Sequence, residues 1–291
     1  MLIEMEAVAA NAVDVMFRRG DGPWSLGLPG TLSGDVVGHV AAIGPGVTTV
    51  TVGDRVAASS ADAFADFVLA DARWLVPIPG DADPAGATCL AASAPTALRL
   101  LRAGQVRAEE TVLVHAAAGG IGHLTLQLAK ELGARTIGAA STPQKTAFAA
   151  AMGADVVVDS SREDWADRVR DAAPGGVDVV LDAVGATTFD SGLALLAPLG
   201  RIVTYGAIGG AVPVLRAEAL YANVYVTGVS LMGWRSASPA DARAELDEVV
   251  ELWRAGRLRQ VVHSRLPLDE GGKAHEILEN RANMGRVVIT R

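Results

Sequence analysis

Apolar residues follow two different rhythms along the chain, and the change between them divides the sequence. Up to about residue 92, short apolar runs alternate with turns rich in Gly, Pro and Asp, a pattern typical of a β-rich unit. The runs that predict strands there are 36–43, 48–52, 55–57 and 67–69.

Between residues 94 and 230, apolar strand-like runs alternate with segments of helical spacing. This alternation predicts a parallel sheet covered by helices on both faces, the doubly wound α/β arrangement. Pro143 suits a first helical turn, and Ser161 with Asp164 predicts a capping box. We expect strands at 111–115, 135–140, 155–158, 177–182, 201–206 and 224–230, and helices near 121–132, 143–152 and 162–172.

The C-terminal segment is too short to form a domain of its own. Its pattern predicts a long amphipathic helix at 239–255, a strand at 260–263, a helix near 269–280 and a final strand at 286–290. We expect this segment to return to the β-rich unit. The expected domains are a discontinuous β-rich domain, 1–93 with 231–291, and a doubly wound α/β domain, 94–230.

The stretch from Thr111 to Gly122 carries the most specific signal. A strand pattern leads into a turn of small residues, and apolar residues then recur at helical spacing. Phosphate groups bind at such a helix N-terminus because its N–H groups and dipole attract anions. Ala117, Gly119 and Gly122 occupy the G-x-G-x-x-G positions, with alanine for the first glycine. We interpret the stretch as a dinucleotide loop; a tight βα turn of another fold is the alternative.

The end of the second strand of this region indicates which dinucleotide is bound. An acidic residue there usually binds the ribose 2′-hydroxyl of NAD. Residues 138–145 contain no Asp or Glu, whereas Ser141 and Lys145 suit a 2′-phosphate. The sequence therefore favours NADPH, the alternative for Lys145 being a solvated position on a helix.

Two more strand ends are rich in glycine, at 181–185 and 205–210. Ligands of open α/β sheets lie beyond the carboxyl ends of strands, where glycine lets backbone groups approach them. Glycines that only terminate strands are the alternative. The predicted nicotinamide contacts are Val184, Gly185, Tyr205, Gly206 and Ala207.

Net charge and cysteine content argue against several classes of function. A formal net charge of -8 argues against nucleic acid or an anionic membrane as a partner. The single cysteine, Cys89, excludes an internal disulfide and fits a reducing compartment, so we expect a cytoplasmic protein without a membrane span. Because the chain has one cysteine and five scattered histidines, we do not expect a zinc site.

Several motifs together resemble the zinc-free quinone oxidoreductase branch of the medium-chain dehydrogenase/reductase superfamily. They are Ala-Ala-Ala-Gly-Gly-Ile-Gly-His with the following Leu-Gln-Leu-Ala-Lys-Glu-Leu-Gly, Asp182-Ala-Val-Gly185, Gly44-Pro-Gly-Val-Thr with Val52-Gly-Asp-Arg-Val56, and Ala274-His-Glu-Ile-Leu-Glu-Asn-Arg281. The resemblance covers almost the whole chain. It implies a Rossmann domain, a GroES-like catalytic domain and use of NADPH.

The resemblance also implies roles for single residues. Asn11 corresponds to the active-site asparagine near the nicotinamide, with a turn residue as the alternative. The implied cofactor contacts are Thr96 at the domain junction, Gly119, Gly120, Ile121 and Gly122 in the loop, Ser141 and Lys145 at the 2′-phosphate, and Met232 and Arg281 in the later part of the chain. Met232, Trp234 and Trp24 are expected to line a substrate wall or to belong to the core.

The chain departs from the family pattern in three places. Relatives usually begin with another strand or two before Leu2–Ala7, so we expect a lost hairpin or a different native start. Residues 21–24 stand where many enone-reducing relatives carry a tyrosine, and the loop between Val56 and Phe64 looks short. Ser160 replaces a nucleotide-binding tyrosine, which is expected to weaken 2′-phosphate binding.

The expected reaction is hydride transfer from NADPH to a quinone or an α,β-unsaturated carbonyl compound. Asn11 and the ribose hydroxyl would donate to the carbonyl oxygen as it gains charge, and water would supply the proton. His115 is expected to be structural and His39 to face solvent, while Asp14 and Asp35 lie near the expected cleft or only hold turns.

Three other functions stay open at this stage. They are enoyl-thioester reduction in polyketide or fatty-acid metabolism, non-enzymatic NADPH binding, and a redox-neutral cyclisation. The expected substrate is a small apolar carbonyl compound or quinone. A homodimer formed along the strand at 223–230 is the expected assembly.

Overall fold

A computed structural model describes residues 1–20 and 30–291. They divide into two compact units, Met1–Pro95 with Arg243–Arg291, and Thr96–Ala242. The second boundary lies at Ala242 rather than at residue 230. Residues 231–242 belong to the second unit, in which the Arg99 guanidinium lies 4.1 Å from the ring centre of Trp234.

The strands and helices take up most of the described chain. The strands are β1 Leu2–Ala10, β2 Gly34–Ala42, β3 Arg55–Ser60, β4 Phe67–Leu69, β5 Val76–Pro77, β6 Thr111–Val114, β7 Arg135–Ala140, β8 Val156–Asp159, β9 Val177–Asp182, β10 Leu196–Thr204, β11 Tyr225–Gly228, β12 Val262–Pro267 and β13 Arg286–Thr290. The α-helices are α1 Ala12–Arg19, α2 Pro84–Ala87, α3 Ser93–Ala103, α4 Gly122–Glu131, α5 Pro143–Ala151, α6 Trp165–Ala172, α7 Ala186–Leu195, α8 Leu231–Ala237, α9 Pro239–Arg254 and α10 Gly271–Glu279.

The first unit is built on a largely antiparallel sheet in the order β12-β13-β1-β2-β3-β5, with β4 also paired to β1. Alternate residues of β1, β2 and β3 bury Ile3, Val36 and Val56 in one apolar core. Ala9 in β1 lies opposite Asp35 in β2 on one side and Val288 in β13 on the other. The end of β1 is therefore flanked by the start of β2 and the start of β13.

The second unit is a six-stranded parallel sheet in the order β11-β10-β9-β6-β7-β8. Its strands bury continuous apolar runs, because helices cover both faces of such a sheet. Numbered within this unit, the order is 3-2-1-4-5-6, that of a dinucleotide-binding fold. The predicted fold class, a doubly wound Rossmann unit with a β-rich GroES-like unit, is confirmed.

Three local predictions were wrong. Residues 48–52 form turns, because Thr51 N–H donates to the Asp54 carboxylate. The capping box at Ser161 is absent, since Ser161 donates to Asp159 instead and α6 begins only at Trp165. The strand expected at 260–263 begins at Val262 and runs to Pro267, where it pairs with β13.

β11 is an edge strand of the parallel sheet, as predicted for the segment 223–230.

Among residues 1–20 and 30–291, the structure contains no helix with the length and apolar character of a membrane span.

Candidate functional site

The loop between β6 and α4 places backbone N–H groups at a helix N-terminus. The chain turns through Ala116, which has a φ of 51°, and Gly119 N–H then donates to its carbonyl oxygen at 2.8 Å. The helix begins at Gly122, and His123 N–H donates to the Gly119 carbonyl at 3.2 Å and Thr125 N–H to the Ile121 carbonyl at 2.9 Å. A Cβ at Gly122 would lie 2.3 Å from the Ala116 carbonyl oxygen, so only glycine fits at this position. The positive end of the helix dipole at this loop favours a bound anion.

Alanine at the first glycine position of the motif is explained by the neighbouring strand. Ala117 is fully buried, and its N–H donates to the Ala139 carbonyl of β7 at 3.0 Å. Residue 138 of β7 is glycine, where a Cβ would lie 3.3 Å from the Ala117 methyl group. The methyl group missing from residue 138 leaves space for the one at residue 117.

The end of β7 leads into the predicted 2′-phosphate residues. Ser141 is exposed, and Lys145 is half-buried in the first turn of α5. Thr142 caps that helix by accepting from Lys145 N–H at 3.3 Å, with Pro143 in the first turn as predicted. Hydroxyl and ammonium groups therefore lie beside a helix N-terminus, which suits a phosphate group.

A buried carboxylate shapes the end of β9. Asp182 is completely buried, and its Oδ1 accepts from Val184 N–H at 2.9 Å and from Thr188 Oγ1 at 2.8 Å. This holds the turn at Gly185, where φ is 96° and a Cβ would lie 2.5 Å from the Ala211 carbonyl. The turn is fixed by side-chain and backbone contacts together.

The loop after β10 is joined to that turn by backbone hydrogen bonds. Ile208 N–H donates to the Ala183 carbonyl at 3.0 Å, and Gly209 N–H to the Val184 carbonyl at 2.9 Å. Val184 is half-buried, as are Tyr205 and Gly206, whereas Ala207 is buried. Desolvation by burial, with the nearby Asp182 charge, raises the pKa of the Tyr205 hydroxyl, so Tyr205 stays protonated.

His115 directly follows β6. It is buried, its ring packs edge-on against Trp165 at 5.3 Å, and its Nε2 has no hydrogen-bond partner. Burial lowers the pKa of His115 against the opposing effect of Asp182, so the imidazole is neutral. These contacts fit the structural role predicted for His115. His39 is exposed on β2, as predicted.

In the first unit, Asn11 lies at the centre of a buried polar group. It is the N-cap residue of α1, and its Oδ1 accepts from Arg286 Nη1 at 2.8 Å while its Nδ2 donates to the Ala9 carbonyl at 3.2 Å. Arg286 Nη2 also donates to Asp35 Oδ2 at 2.6 Å. Asp14 Oδ2 accepts from Asn11 N–H at 2.7 Å. Asp14 and Asp35 hold Asn11 and Arg286 rather than only closing turns.

The surroundings of Asp14 disfavour the ionised form of its carboxyl group. Burial raises its pKa from 3.8 to about 7, although the Asn11 N–H and the Arg286 charge lower it. Asp35 raises it further, because one arginine faces two carboxylates. The folded protein therefore keeps a proton on Asp14 that the unfolded chain has lost.

We expect this proton to make folding stability depend on pH. The contribution of Asp14 is complete below pH 3.8 and is lost as the pH rises through about 7, by up to about 4 kcal/mol. Asp14→Asn keeps an acceptor for Asn11 N–H and does not ionise. Urea unfolding between pH 4 and pH 8 should show the wild type losing stability relative to the variant. Parallel pH curves for the two proteins would contradict this.

The remaining predicted residues are more scattered. Thr96 is half-buried on α3, and Met232 is 55% exposed on α8. Trp234 lines an open pocket of about 380 Å³ in the second unit, together with Arg99. Arg281 is exposed after α10 in the first unit, at a φ of 50°. Trp24 and the segment 21–24 lie outside the described residues.

Two groupings follow from these placements. Because parallel strands end at one edge, the second unit brings the loop at 116–122 together with Ser141, the turn at 183–185 and residues 205–207. Asn11 and Arg281 belong to the other unit. In the part of the chain that the structure describes, no three His, Cys, Asp or Glu side chains are grouped as metal ligands would be.

Two buried charged side chains of these groups, Arg286 and Asp182, were not predicted from the sequence as parts of the site. Arg286 was included only as the first residue of an apolar strand. A charged residue in such a run is a usable signal, because a buried charge requires a partner. The sequence gives no indication that the partners are Asn11 and Asp35, which are distant along the chain.

Comparisons with known proteins agree with this geometry. Residues 1–80 match the family model of the alcohol dehydrogenase GroES-like domain, and residues 120–251 match that of zinc-binding dehydrogenases. The quinone oxidoreductase of Pseudomonas aeruginosa is 35% identical, over 99% of this chain and 90% of its own. A 2-haloacrylate reductase of a Burkholderia species is 33% identical, over 97% and 88%. The structure of Escherichia coli quinone oxidoreductase complexed with NADPH superimposes with a TM-score of 0.90 at 30% identity, over 100% and 91%.

A doubly wound sheet with a glycine loop, beside a unit with a GroES-like sheet, defines a two-domain dinucleotide-binding protein. With relatives matched over nearly their whole length, the family follows. The chain belongs to the medium-chain dehydrogenase/reductase superfamily, in its quinone oxidoreductase branch.

Proposed function

We propose that this protein is an NADPH-dependent reductase that transfers hydride to a quinone or to an α,β-unsaturated carbonyl compound. The loop at 116–122 carries the proposal, because glycine is the residue that fits at the start of α4 and phosphate groups are the ligands for such a loop. The names of the quinone oxidoreductase and 2-haloacrylate reductase relatives support the substrate class.

The residues present fit NADPH. Gly119, Gly120, Ile121 and Gly122 form a tight glycine turn at the start of α4, in which a Cβ at Gly122 would clash with the Ala116 carbonyl oxygen, and a pyrophosphate suits such a turn. Ser141 and Lys145 supply a hydroxyl and a positive charge for the 2′-phosphate, with no acidic side chain at the end of β7. The E. coli relative, solved with NADPH, supports the same cofactor.

The proposal assigns roles to the residues around the nicotinamide and to Asn11. NADPH, when bound, supplies the hydride. The backbone at Val184, Gly185, Tyr205, Gly206 and Ala207 holds the nicotinamide half, and Thr96, Met232 and Arg281 are proposed as further contacts. Asn11 Nδ2 donates to the substrate oxygen, where negative charge develops. Water supplies the proton, because the pKa of Tyr205 is raised and His115 is buried without a partner for Nε2.

The first experiment is a titration with NADPH and with NADH, followed by quenching of tryptophan fluorescence. 9,10-Phenanthrenequinone and a simple enone are then added, and absorbance at 340 nm reports oxidation of the cofactor. We expect tight NADPH binding and oxidation with at least one acceptor. Binding without oxidation would favour enoyl-thioester reduction or a non-enzymatic role, and absence of NADPH binding would overturn the proposal.

Lys145 tests the choice of cofactor. We expect Lys145→Ala to weaken NADPH binding about 10- to 100-fold, the value of a charged hydrogen bond, and to leave NADH binding unchanged. Fluorescence titration of both nucleotides measures the ratio. Lys130→Ala, an exposed lysine on α4, is the matched control. Equal losses for the two nucleotides would show that Lys145 does not contact the 2′-phosphate.

A homodimer through β11 is also part of the proposal. Large apolar side chains are exposed near this edge strand, among them Val214 at 79%, Tyr221 at 86% and Tyr225 at 61%. Unpaired strand edges and apolar patches are features of interfaces. Light scattering coupled to size exclusion would give the mass in solution, and a monomer at micromolar concentration would contradict this part.

A further inference from the structure

The carboxamide of Asn11 has only one orientation that its neighbours permit. Guanidinium groups only donate, and backbone carbonyls only accept. The group that faces Arg286 Nη1 at 2.8 Å must therefore be Oδ1, and the group that faces the Ala9 carbonyl at 3.2 Å must be Nδ2. A flipped amide would place two donors against each other at Arg286 and two oxygens against each other at Ala9.

Arg286 is itself fixed in place. Its side chain is 4% exposed and that of Asp35 is 6% exposed, and the two form an ion pair at 2.6 Å. Ser93 Oγ donates to the same Asp35 oxygen at 2.9 Å, which gives the carboxylate a second hydrogen bond. A chain of contacts thus runs from α3 through β2 and β13 to the amide at the end of β1.

We propose that Arg286 is a positioning residue, which holds Asn11 Oδ1 so that Nδ2 is the group of this amide that donates to the substrate oxygen. The inference rests on the proposed function of Asn11. Asn11 Nδ2 has two N–H bonds, and Ala9 accepts from one of them. The orientation matters because the opposite face of the amide would present an oxygen to a carbonyl that gains negative charge.

The ion pair alone does not require this arrangement. Asp35 already accepts from Arg286 Nη2 and from Ser93, whereas Nη1 is directed to Asn11. The planar guanidinium holds both acceptors at fixed positions, which a flexible ammonium group does less rigidly. Arg286 Nη1 thus fixes the orientation of the Asn11 amide, and Arg286 Nη2 forms the ion pair with Asp35.

A set of variants separates the contact of Arg286 with Asn11 from its ion pair with Asp35. Removing Arg286 alone would leave Asp35 buried and unpaired, which is strongly destabilising. We therefore compare Arg286→Met combined with Asp35→Asn against Asp35→Asn alone, which keeps the bond to Asn11. Arg286→Lys, with Asp35 intact, is a second variant that keeps the charge. Circular dichroism and NADPH binding verify that each variant is folded.

The first readout does not depend on activity. The side-chain amide signals of Asn11 in ¹⁵N-labelled protein are assigned by their loss in Asn11→Asp. We expect a dispersed, slowly exchanging pair in the wild type and in Asp35→Asn. In the double variant the pair should move towards the position of a free amide and exchange faster, and in Arg286→Lys it should shift part of the way. Unchanged signals in Arg286→Lys or in the double variant would overturn the proposal.

The second readout is kinetic. We expect the double variant to lower kcat about 10- to 100-fold relative to Asp35→Asn, with the KM for NADPH unchanged. Adding Asn11→Ala to the double variant should lower kcat only to the level that Asn11→Ala reaches in the Asp35→Asn background, because Arg286 acts through Asn11. A further loss equal to that of Asn11→Ala alone would show that the two residues act independently and would overturn the proposal. If the wild type reduces neither acceptor, the proposed function fails, and the amide signals still decide the role of Arg286.

Discussion

Asn11→Ala is expected to lower kcat about 100- to 1000-fold, the usual effect of removing one donor to a developing oxyanion. Binding of NADPH should be nearly unchanged, because the loop at 116–122, Ser141 and Lys145 belong to the second unit. Steady-state kinetics with 9,10-phenanthrenequinone measure kcat, and fluorescence titration measures the Kd of NADPH. The loss is expected in kcat because the bond strengthens only as the substrate oxygen gains charge.

The control has to account for the structural role of Asn11. This residue is also the N-cap of α1, and loss of a cap costs about 1 kcal/mol of stability. Asp83→Ala removes the N-cap of α2 in the same unit, where Asp83 Oδ2 accepts from Gly86 N–H at 3.0 Å. We expect this control to reduce stability without lowering kcat. A loss below tenfold in Asn11→Ala would show that its amide is not the donor.

Gly122→Ala is expected to weaken NADPH binding about 10- to 100-fold, since overpacking costs about 1–3 kcal/mol. The new methyl group would lie 2.3 Å from the Ala116 carbonyl oxygen and 2.9 Å from the Ala117 Cα. Both neighbours are backbone atoms, so the loop itself has to move. Titration with NADPH measures the effect, and thermal unfolding shows how much stability is lost.

The matched control is another glycine of the second unit. A Cβ at Gly175 meets no atom within 4 Å, so Gly175→Ala should leave NADPH affinity unchanged. Comparison of the two variants separates a close approach in the loop from a general effect of replacing glycine. If Gly122→Ala binds NADPH like the wild type, the loop does not hold the pyrophosphate in the way we propose.

The second unit was largely predictable from the sequence because its strands are buried on both faces. Runs such as Val177–Asp182 are nearly continuous in apolar residues, and glycines mark the strand ends. β7 matches the prediction residue for residue, and β9 does as well. The loop at 116–122 was also recognisable, because close backbone approach favours Gly and Ala, which fill every position of it except Ile121.

Two of the wrong local predictions have a common physical cause, which is competition by short polar side chains. Asp54 accepts from Thr51 N–H and turns an apolar run into a loop, and Asp159 captures the Ser161 hydroxyl expected to cap a helix. The contacts of Arg286 could not be predicted from the sequence for another reason. Its contacts join residues more than 200 positions apart, such as Arg286 and Asn11, and no local pattern encodes such a pairing.

The position of β13 between β12 and β1 has a consequence for synthesis on the ribosome. β1 is translated before the entire second unit, whereas its partner β13 is translated only after it. The parallel sheet, made from one uninterrupted segment, is free to fold while β1 still lacks this neighbour. Arg286 then enters the buried polar group with β13, so the amide of Asn11 gains its guanidinium partner only after the second unit has been made.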